Sequence, residues 1–576
     1  PTSFWVSDSS GKVIVRFTGH ADEPKAKAKD LIRRVTLRAL TDAPGLDVTG
    51  VFIETSSGPV DPADLERLDR EFSEYSLNRR PAAARFPQFP FLERGSESAL
   101  PASASLGDLK FSQESLQRNN FDESSPLSLP SRVKRVFAST SRKRQVDDVQ
   151  ERLAKQGKEL KQEPPLDPTK LAAAFQDGEE FEDAKDMLSS VGVVHIDGNG
   201  VGAIMRDLGC AHRAVQKFGV STISDEESKG LQSFIMEVNC RLDNVVKDAI
   251  ALSWYYVQEL TPDTVVPIVP VIVGGDDVTV YTDGRYAIPF AEAYIHHYER
   301  LTKDDDLLSV LAIVAGGKKA DAPERDHFEI DDYIIQNPGP LTASAGVVIV
   351  GRNFPFHIAY DLAEELVSRG KKLGKKPGTV PCSTINFHVL RDATVLDPDD
   401  TLDEYKGRAQ RPFLIGCYAP DRIGDATTTS SEKAPTAKPQ PLSSWARILQ
   451  AVAAFDGKKP DDPTQTTGDP FPRARANRIV KLLAEGHAEK ATTEWGDALQ
   501  NAPSAGLLAR QLKLLPPQSS SSNGIAEALE QIKWLLDLID LSGNLPDGYL
   551  ASRISGDADC VGSQEAADES TEGGAQ

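Results

Sequence analysis

The sequence predicts an α+β protein: a β-α-β-β-α-β core of ferredoxin-like order, preceded by a small α/β unit and followed by an all-α domain. Three observations carry that prediction. Short apolar runs alternate with stretches of helical periodicity, in that order, between residues 191 and 390. Two of these runs, 265–273 (VVPIVPVIV) and 278–281 (VTVY), are separated only by Gly274-Gly275-Asp276-Asp277, a hairpin signature. A polar Pro/Thr-rich stretch at 420–440 then divides the core from a region of helical pattern.

The elements follow in order. Residues 12–17 (KVIVRF) read as a strand and 25–40 as a helix with Leu31, Ile32, Val35, Leu37 and Leu40 among its apolar positions. Residues 48–54 (VTGVFIE) read as a second strand, and 61–75 as a helix with Pro62 in its first turn. These make a unit at 1–78. Residues 79–185 are expected to be a linker and helical region: 79–130 are rich in Pro, Ser and Arg, and 134–163 are highly charged, with SRKR at 141–144. That charge run reads as a solvated helix or linker rather than a nucleic-acid patch, and Pro164 and Pro165 end it.

The core is placed at 186–418. Residues 191–196 (VGVVHI) form a buried strand ending at Asp197; Gly198-Asn199-Gly200 follow, then a helix at 201–218. A helical stretch at 227–260 carries Phe234, Ile235, Val238, Leu242 and Val245 on one face. After the hairpin come a helix at 289–301, a strand at 341–350, an amphipathic helix at 354–373 with Ile358, Leu362, Leu366 and Leu373, and a strand at 383–390. A linker at 419–442 leads to a helical domain at 443–555, with helices at 445–455, 474–486 and 525–541, and the composition of 556–576 is that of a disordered tail.

Composition narrows the function. The net charge of −21 over 576 residues repels nucleic acid and anionic membrane surfaces, so a polyanion must meet a local basic site or arrive with a cation. The five Cys, at 210, 240, 382, 417 and 560, form no CxxC pair, which supports neither a zinc knuckle nor a disulfide framework. A reducing, cytoplasmic setting is expected. No run reaches the ~18 apolar residues of a membrane span, and the first residues, PTSFWVSDSS, show no secretory signal.

Gly274 to Asp277 is, on its own, a polar hairpin tip. Asp197 changes that reading. In the ferredoxin-like order the first strand lies beside the hairpin, so Asp197, Asp276 and Asp277 meet at one sheet edge. Hard divalent cations prefer carboxylate and phosphate oxygens, and paired ions held by carboxylates serve nucleotidyl transfer. Asp197, Asp276 and Asp277 are therefore assigned as catalytic metal ligands for Mg²⁺ or Mn²⁺. Gly198, Asn199 and Gly200 precede a helix and can cradle a triphosphate, or form a plain Gly-rich turn. Lys371 and Lys372 are favourable at a helix C-terminus with or without a phosphate to bind. His195, His296, His297 and His357 form no metal-spaced set, and His296 and His297 read as a helix surface pair.

These residues resemble a known family. Asp197-Gly198-Asn199-Gly200, the Gly274-Gly275-Asp276-Asp277 hairpin, Ser344-Ala345-Gly346 and the helix ending near Lys371 are similar, in order and identity, to the polymerase/cyclase palm of type III CRISPR large subunits. That palm is related to GGDEF diguanylate cyclases and adenylyl cyclases. The resemblance spans roughly residues 190–392. It implies a ferredoxin-like palm, divalent metal, and cyclic oligoadenylate synthesis from ATP. It also implies Asp197, Asp276 and Asp277 as metal ligands, Ser344 near a bound nucleotide and Lys371 on phosphate; Gly274 and Gly275, on the residues alone, set the turn and let backbone approach a phosphate. By element order, residues 1–78 resemble a degenerate, non-catalytic palm and the C-terminus a closing helical domain. No His-Asp pair stands near residue 1 and no Cys at 94–102 (RGSESALPA), so DNA cleavage and zinc binding are not implied.

Nucleoside triphosphates are the expected partners, with RNA or CRISPR effector subunits as further candidates and no membrane. A dimer or intramolecular pseudo-dimer would close such a site. A stand-alone enzyme of phage defence fits equally. Two other readings stay open: a nucleotide-binding or ribonucleoprotein scaffold subunit without turnover, and a GGDEF-like or class III-like cyclase acting on GTP.

Overall fold

A computed structural model describes residues 5–9, 11–20, 22–56, 59–79, 89–103, 106, 116, 124–160, 190–220, 230–261, 267–323, 328–375, 380–391, 397–405, 407–417, 444–515 and 524–552. The fold is mixed α+β. It divides into two compact units, Pro1–Asp148 with Asp207–Arg241, and Val149–Arg206 with Leu242–Gln576.

In the first unit, β1 (Trp5–Ser9) and β2 (Lys12–Val15) pair as an antiparallel hairpin. Two helices follow, α1 (Glu23–Asp42) and α2 (Pro62–Asn78). Asp61 caps α2 by accepting from the Ala63 N–H, with Pro62 in the first turn where its missing N–H costs nothing. The strand expected at 48–54 does not form. Its carbonyls turn to side chains instead: Arg79 Nη1 donates to the Val48 carbonyl at 2.6 Å and Arg67 Nη2 to that of Glu54 at 3.3 Å. The long helix α3 (Leu129–Lys155), of which the part up to Asp148 belongs to this unit and the rest to the second, also departs from expectation. It is charged, yet it buries Val133, Val136, Val146, Val149 and Leu153 and so is a packed element rather than a solvated linker.

The second unit holds the central sheet. Its chain order is β3 (Ser190–Asn199), α4 (Val201–Arg206), then α5 (Leu208–Lys217) in the other unit, α6 (Leu231–Leu260), β4 (Ile268–Gly274), β5 (Asp277–Asp283), α7 (Gly284–Asp304), α8 (Asp306–Ala315), β6 (Thr342–Gly351), α9 (Phe356–Gly374), β7 (Ser383–Val389), α10 (Pro398–Asp403) and β8 (Phe413–Ile415). The strands lie in the order β4-β5-β3-β6-β7-β8. All neighbours are antiparallel except β6 and β7, which are parallel and joined through α9. β3 therefore sits beside the hairpin, as the sequence reading expects, with β6 on its other side.

Helices cover both faces of the sheet. Gly192 of β3 lies under Ala287 of α7, where an added Cβ would collide. Gly346 of β6 lies under the Ala363 carbonyl of α9 in the same way. Gly192 is registered with Ile349, three residues from Gly346, so by the two-residue alternation of strands the two glycines face opposite sides. The α9 face carries one core of Val191, Val193, Val348, Val350, Leu362 and Leu366. Asp197 shares the parity of Val191 and Val193 and so faces α9.

The C-terminal part comprises α11 (Trp445–Phe455), the small hairpin β9 (Lys458–Lys459) and β10 (Asp462–Thr466), then α12 (Arg473–Ala484), α13 (Ala488–Asn501), α14 (Pro503–Leu512), α15 (Gly524–Ile532) and α16 (Leu535–Asn544). The single helix expected at 525–541 is two, and the region is helical apart from that hairpin. Phe413 of β8 packs against Trp445 and Trp534, with ring centroids 5.9 and 6.3 Å away. Among the described residues no helix is long and apolar enough to cross a membrane. The expected linker at 419–442, the tail at 556–576 and the Pro164-Pro165 break lie outside the described residues.

Candidate functional site

Register brings the acids together. Asp197 is paired directly with Asp277 across β3 and β5, and with Ser344 across β3 and β6. Side chains opposite each other on antiparallel strands stand on one face about 5 Å apart, and like charges there are destabilising. Asp276 comes from the two-residue turn between Gly274 and Asp277, where Gly275 takes φ 64. That left-handed conformation is what such a tight hairpin needs and what Gly adopts without strain. Gly198 clears the approach from the other strand: a Cβ there would lie 3.0 Å from Asp276 Cβ and 3.3 Å from its Oδ2.

The convergence has an electrostatic consequence. The Asp276 carboxyl is raised to about 6, by burial first and then by the charges of Asp197 and Asp277. Asp277 is raised for the same two kinds of reason, burial and then Asp197. Lys371 opposes both shifts, and its Nζ donates to Asp197 Oδ2 in an ion pair.

The acids open onto a cavity of about 620 Å³ whose lining includes Asp197, Gly198, Gly200, Asp276, Asp277 and Lys371. Asn199, Gly274, Gly275 and Ser344 are not among the lining residues. Asn199 and Ser344 instead form a buried string behind it. Thr384 Oγ1 donates to Ser344 Oγ at 2.9 Å, and Ser344 Oγ donates to Asn199 Oδ1 at 3.1 Å. This string anchors the end of β3. Gly200, at φ 87, packs so closely on α8 that a Cβ would lie 2.6 Å from the Ala315 carbonyl. The helix expected at 201–218 breaks at Asp207, which caps α5 by accepting from the Cys210 N–H. The segment after the glycines is thus the six-residue α4.

Three cations of the lining were not anticipated: Arg206, Lys318 and Lys375. Lys375 follows Lys371 by one helical turn, and its ammonium is shifted down by burial, then by Lys371. Lys318 follows Gly316-Gly317 at the end of α8; the run Ala315-Gly316-Gly317-Lys318-Lys319 was the available signal. The lining is therefore mixed, with three carboxylates and four cations, Lys371 in contact with Asp197. Carboxylate oxygens are the donors a hard divalent cation takes, and their mutual repulsion is what such an ion would relieve. The donor set fits in kind. Its spacing is not closed: among the described residues, no three His, Cys, Asp or Glu side chains stand ready around one centre.

No protein-family profile matches the chain, and no curated protein matches it. Among solved structures, a chain of a type III-B Cmr-beta complex in its apo state, determined by cryo-EM, is similar at a TM-score of 0.28 and 10% identity, over 57% of this chain and 48% of that one. The chain thus spans about half the length of that neighbour. A score that low establishes neither a shared fold nor a shared activity.

Proposed function

We propose that the chain is a nucleotidyltransferase that joins or cyclises nucleoside triphosphates, ATP being the first candidate, through a ferredoxin-like palm. The observation that carries this reading is one cavity whose lining holds both Asp197, registered on Asp277, with Asp276, and the cations Lys371, Lys375, Arg206 and Lys318. Its volume of about 620 Å³ suits a nucleotide-sized ligand.

In the reaction a ribose 3′-oxygen forms a bond to an α-phosphorus, the bond from that phosphorus to the oxygen bridging it to the β-phosphate breaks, pyrophosphate leaves, and the hydroxyl passes its proton to solvent water. Divalent cations, when bound, would stabilise the charge on the attacking and leaving oxygens. Asp197, Asp276 and Asp277 would hold them. The lining cations would balance the charge of the triphosphate and hold it beside the acids. Gly198 and Gly200 keep the end of β3 free of side chains, so backbone and carboxylates approach the phosphates together. The motif resemblance to type III CRISPR large subunits and their cyclase relatives supports a cyclic oligonucleotide product and a role in defence signalling.

A second reading, a nucleotide-binding or scaffold subunit without turnover, draws on the Lys371–Asp197 ion pair, which neutralises one acid. One assay separates them. Each labelled NTP, GTP included, is incubated with Mg²⁺ or Mn²⁺, with and without RNA, and products and pyrophosphate are resolved. The enzyme reading expects product that disappears in a folded Asp276→Ala/Asp277→Ala variant. ATP binding without pyrophosphate release favours the subunit. Full turnover in the double variant rules out this site.

A further inference from the structure

The net charge of −21 is unevenly placed. The first unit, Pro1–Asp148 with Asp207–Arg241, holds 26 Lys and Arg against 26 Asp and Glu, and the second holds 39 against 60. The first is formally neutral; the second carries the whole excess. Apolar surface is placed the other way. The first unit is under a third of the chain, yet it holds 15 of the 22 large apolar side chains exposed among the described residues. Its helices α1 and α2 bury no residue, although a helix in a protein owes most of its stability to an apolar face packed on another surface.

The two bare faces match. On α1, Leu31, Arg34, Val35 and Arg38 follow at i, i+3, i+4 and i+7, and so share one face. On α2, Leu68, Glu71, Phe72 and Tyr75 repeat that spacing. Leu31 and Val35 are 36% and 45% exposed, Phe72 and Tyr75 45% and 49%. Each face is an open apolar strip with charge beside it, basic on α1 and acidic on α2. The whole helices differ in the same sense: six Lys and Arg against three acids on α1, two against five on α2. Arg34 and Arg38 pair with Asp30 and Asp42 of their own helix at 3.6 and 2.9 Å, with both side chains exposed. Ion pairs this open are weak, and a guanidinium has donors left for a second carboxylate. Glu71 has no ion pair among the described residues.

A surface that presents an apolar-basic strip and an apolar-acidic strip of equal spacing is complementary to itself. Copies meeting through the second unit would bring like charge together; copies meeting through the neutral unit would not. We propose that the first unit is a self-association module, in which the α1 face of one copy packs on the α2 face of a second copy and reciprocally. The inference stands independently of the nucleotidyltransferase reading.

The test is sedimentation equilibrium of the full chain over a concentration series. The mass should rise towards twice 62.5 kDa. Phe72→Ala/Tyr75→Ala should weaken association by about a hundredfold or more, because buried aromatic anchors carry most of the energy of an interface. Arg34→Glu/Arg38→Glu makes the α1 face acidic, and Glu71→Arg makes the α2 face basic; each alone sets like charges against each other and should weaken association by about tenfold. Mixed in equal amounts, these two charge variants should associate again, since each then meets an opposite charge at both contacts. A folding defect would not be rescued in that way. Three results overturn the proposal: the monomer mass up to the highest soluble concentration, which would assign the bare faces to a different partner; undiminished association in Phe72→Ala/Tyr75→Ala; or charge variants that dissociate and stay apart when mixed. Should Phe72→Ala/Tyr75→Ala fail to fold, the mixing experiment decides alone.

Discussion

Asp276 is held half-buried between two other carboxylates, an arrangement that costs stability unless a cation offsets it. The folded carboxyl titrates near 6 and the unfolded one near its ordinary 3.8. Between those values the folded state binds more protons, so wild-type stability falls as pH rises through the window. Asp276→Asn abolishes that dependence. In chelator-containing buffer at pH 7.5 the variant should be more stable by on the order of 1–2 kcal/mol while losing turnover, and the gain should vanish near pH 4. Urea denaturation across pH checks it; a destabilised variant at pH 7.5 sinks the idea of unrelieved repulsion. At this scale the sequence was most informative. Asp276 and Asp277 were legible because a turn between apolar runs announces its own position, and Asp197 because the strand order sets β3 beside that hairpin. Arg206, Lys318 and Lys375 were not, because each reaches the cavity only through the packing of α4, α8 and α9.

Elements were legible where apolar runs are long and bounded, as in β3, the β4–β5 hairpin, β6 and α9. They failed where tertiary partners decide. Residues 48–54 have strand composition, but Arg79 and Arg67 take up carbonyls that a ladder would need. α8 (DLLSVLAIVA) is a continuous apolar run, whose periodicity alone does not distinguish strand from helix. Yet α8 shapes the site, since Gly200 packs on its last residue, Ala315. Two glycines two residues apart make the contrast. Gly200→Ala must hold φ 87 and push against a carbonyl 2.6 Å from the new Cβ, which should cost about 2 kcal/mol or more and displace the acids' neighbour strand end. Gly202→Ala, exposed in α4 with nothing within 4 Å, should be neutral or gain up to about 1 kcal/mol. Equal melting temperatures for the two variants would refute the close approach.

At the scale of the whole second unit, the C-terminal helices meet the sheet through buried charge as well as aromatic packing. Arg411 stacks on Phe387, 4.4 Å from its centroid, and pairs with Asp540 at 3.0 Å, while Asp537 accepts from the Gln410 N–H at 2.8 Å. His388 lies beside them, edge-on to Tyr405 at 4.7 Å, with Nε2 unpartnered. Two members of this seam oppose each other in pH. His388 is depressed to about 3, by burial and then Arg411 and Arg391. The unfolded state therefore binds the extra proton between pH 3 and 6.5, and the stability present above 6.5 is lost as pH falls towards 3. Asp537 is raised to about 7, because burial outweighs Arg411. There the folded state binds the extra proton, and stability is lost as pH rises from 4 to 7. Each site alone gives about 1.4 kcal/mol per pH unit, so between pH 4 and 6.5 they nearly cancel. Single variants should unmask them. His388→Phe keeps the ring contact and takes no proton, so on going from pH 7 to 5 it should gain about 2 kcal/mol relative to wild type. Asp537→Asn should shift by a similar amount in the opposite sense and become acid-labile. Denaturation followed by Trp445 and Trp534 fluorescence reads both, and pH profiles parallel to wild type in the two variants would show that the seam does not titrate as described.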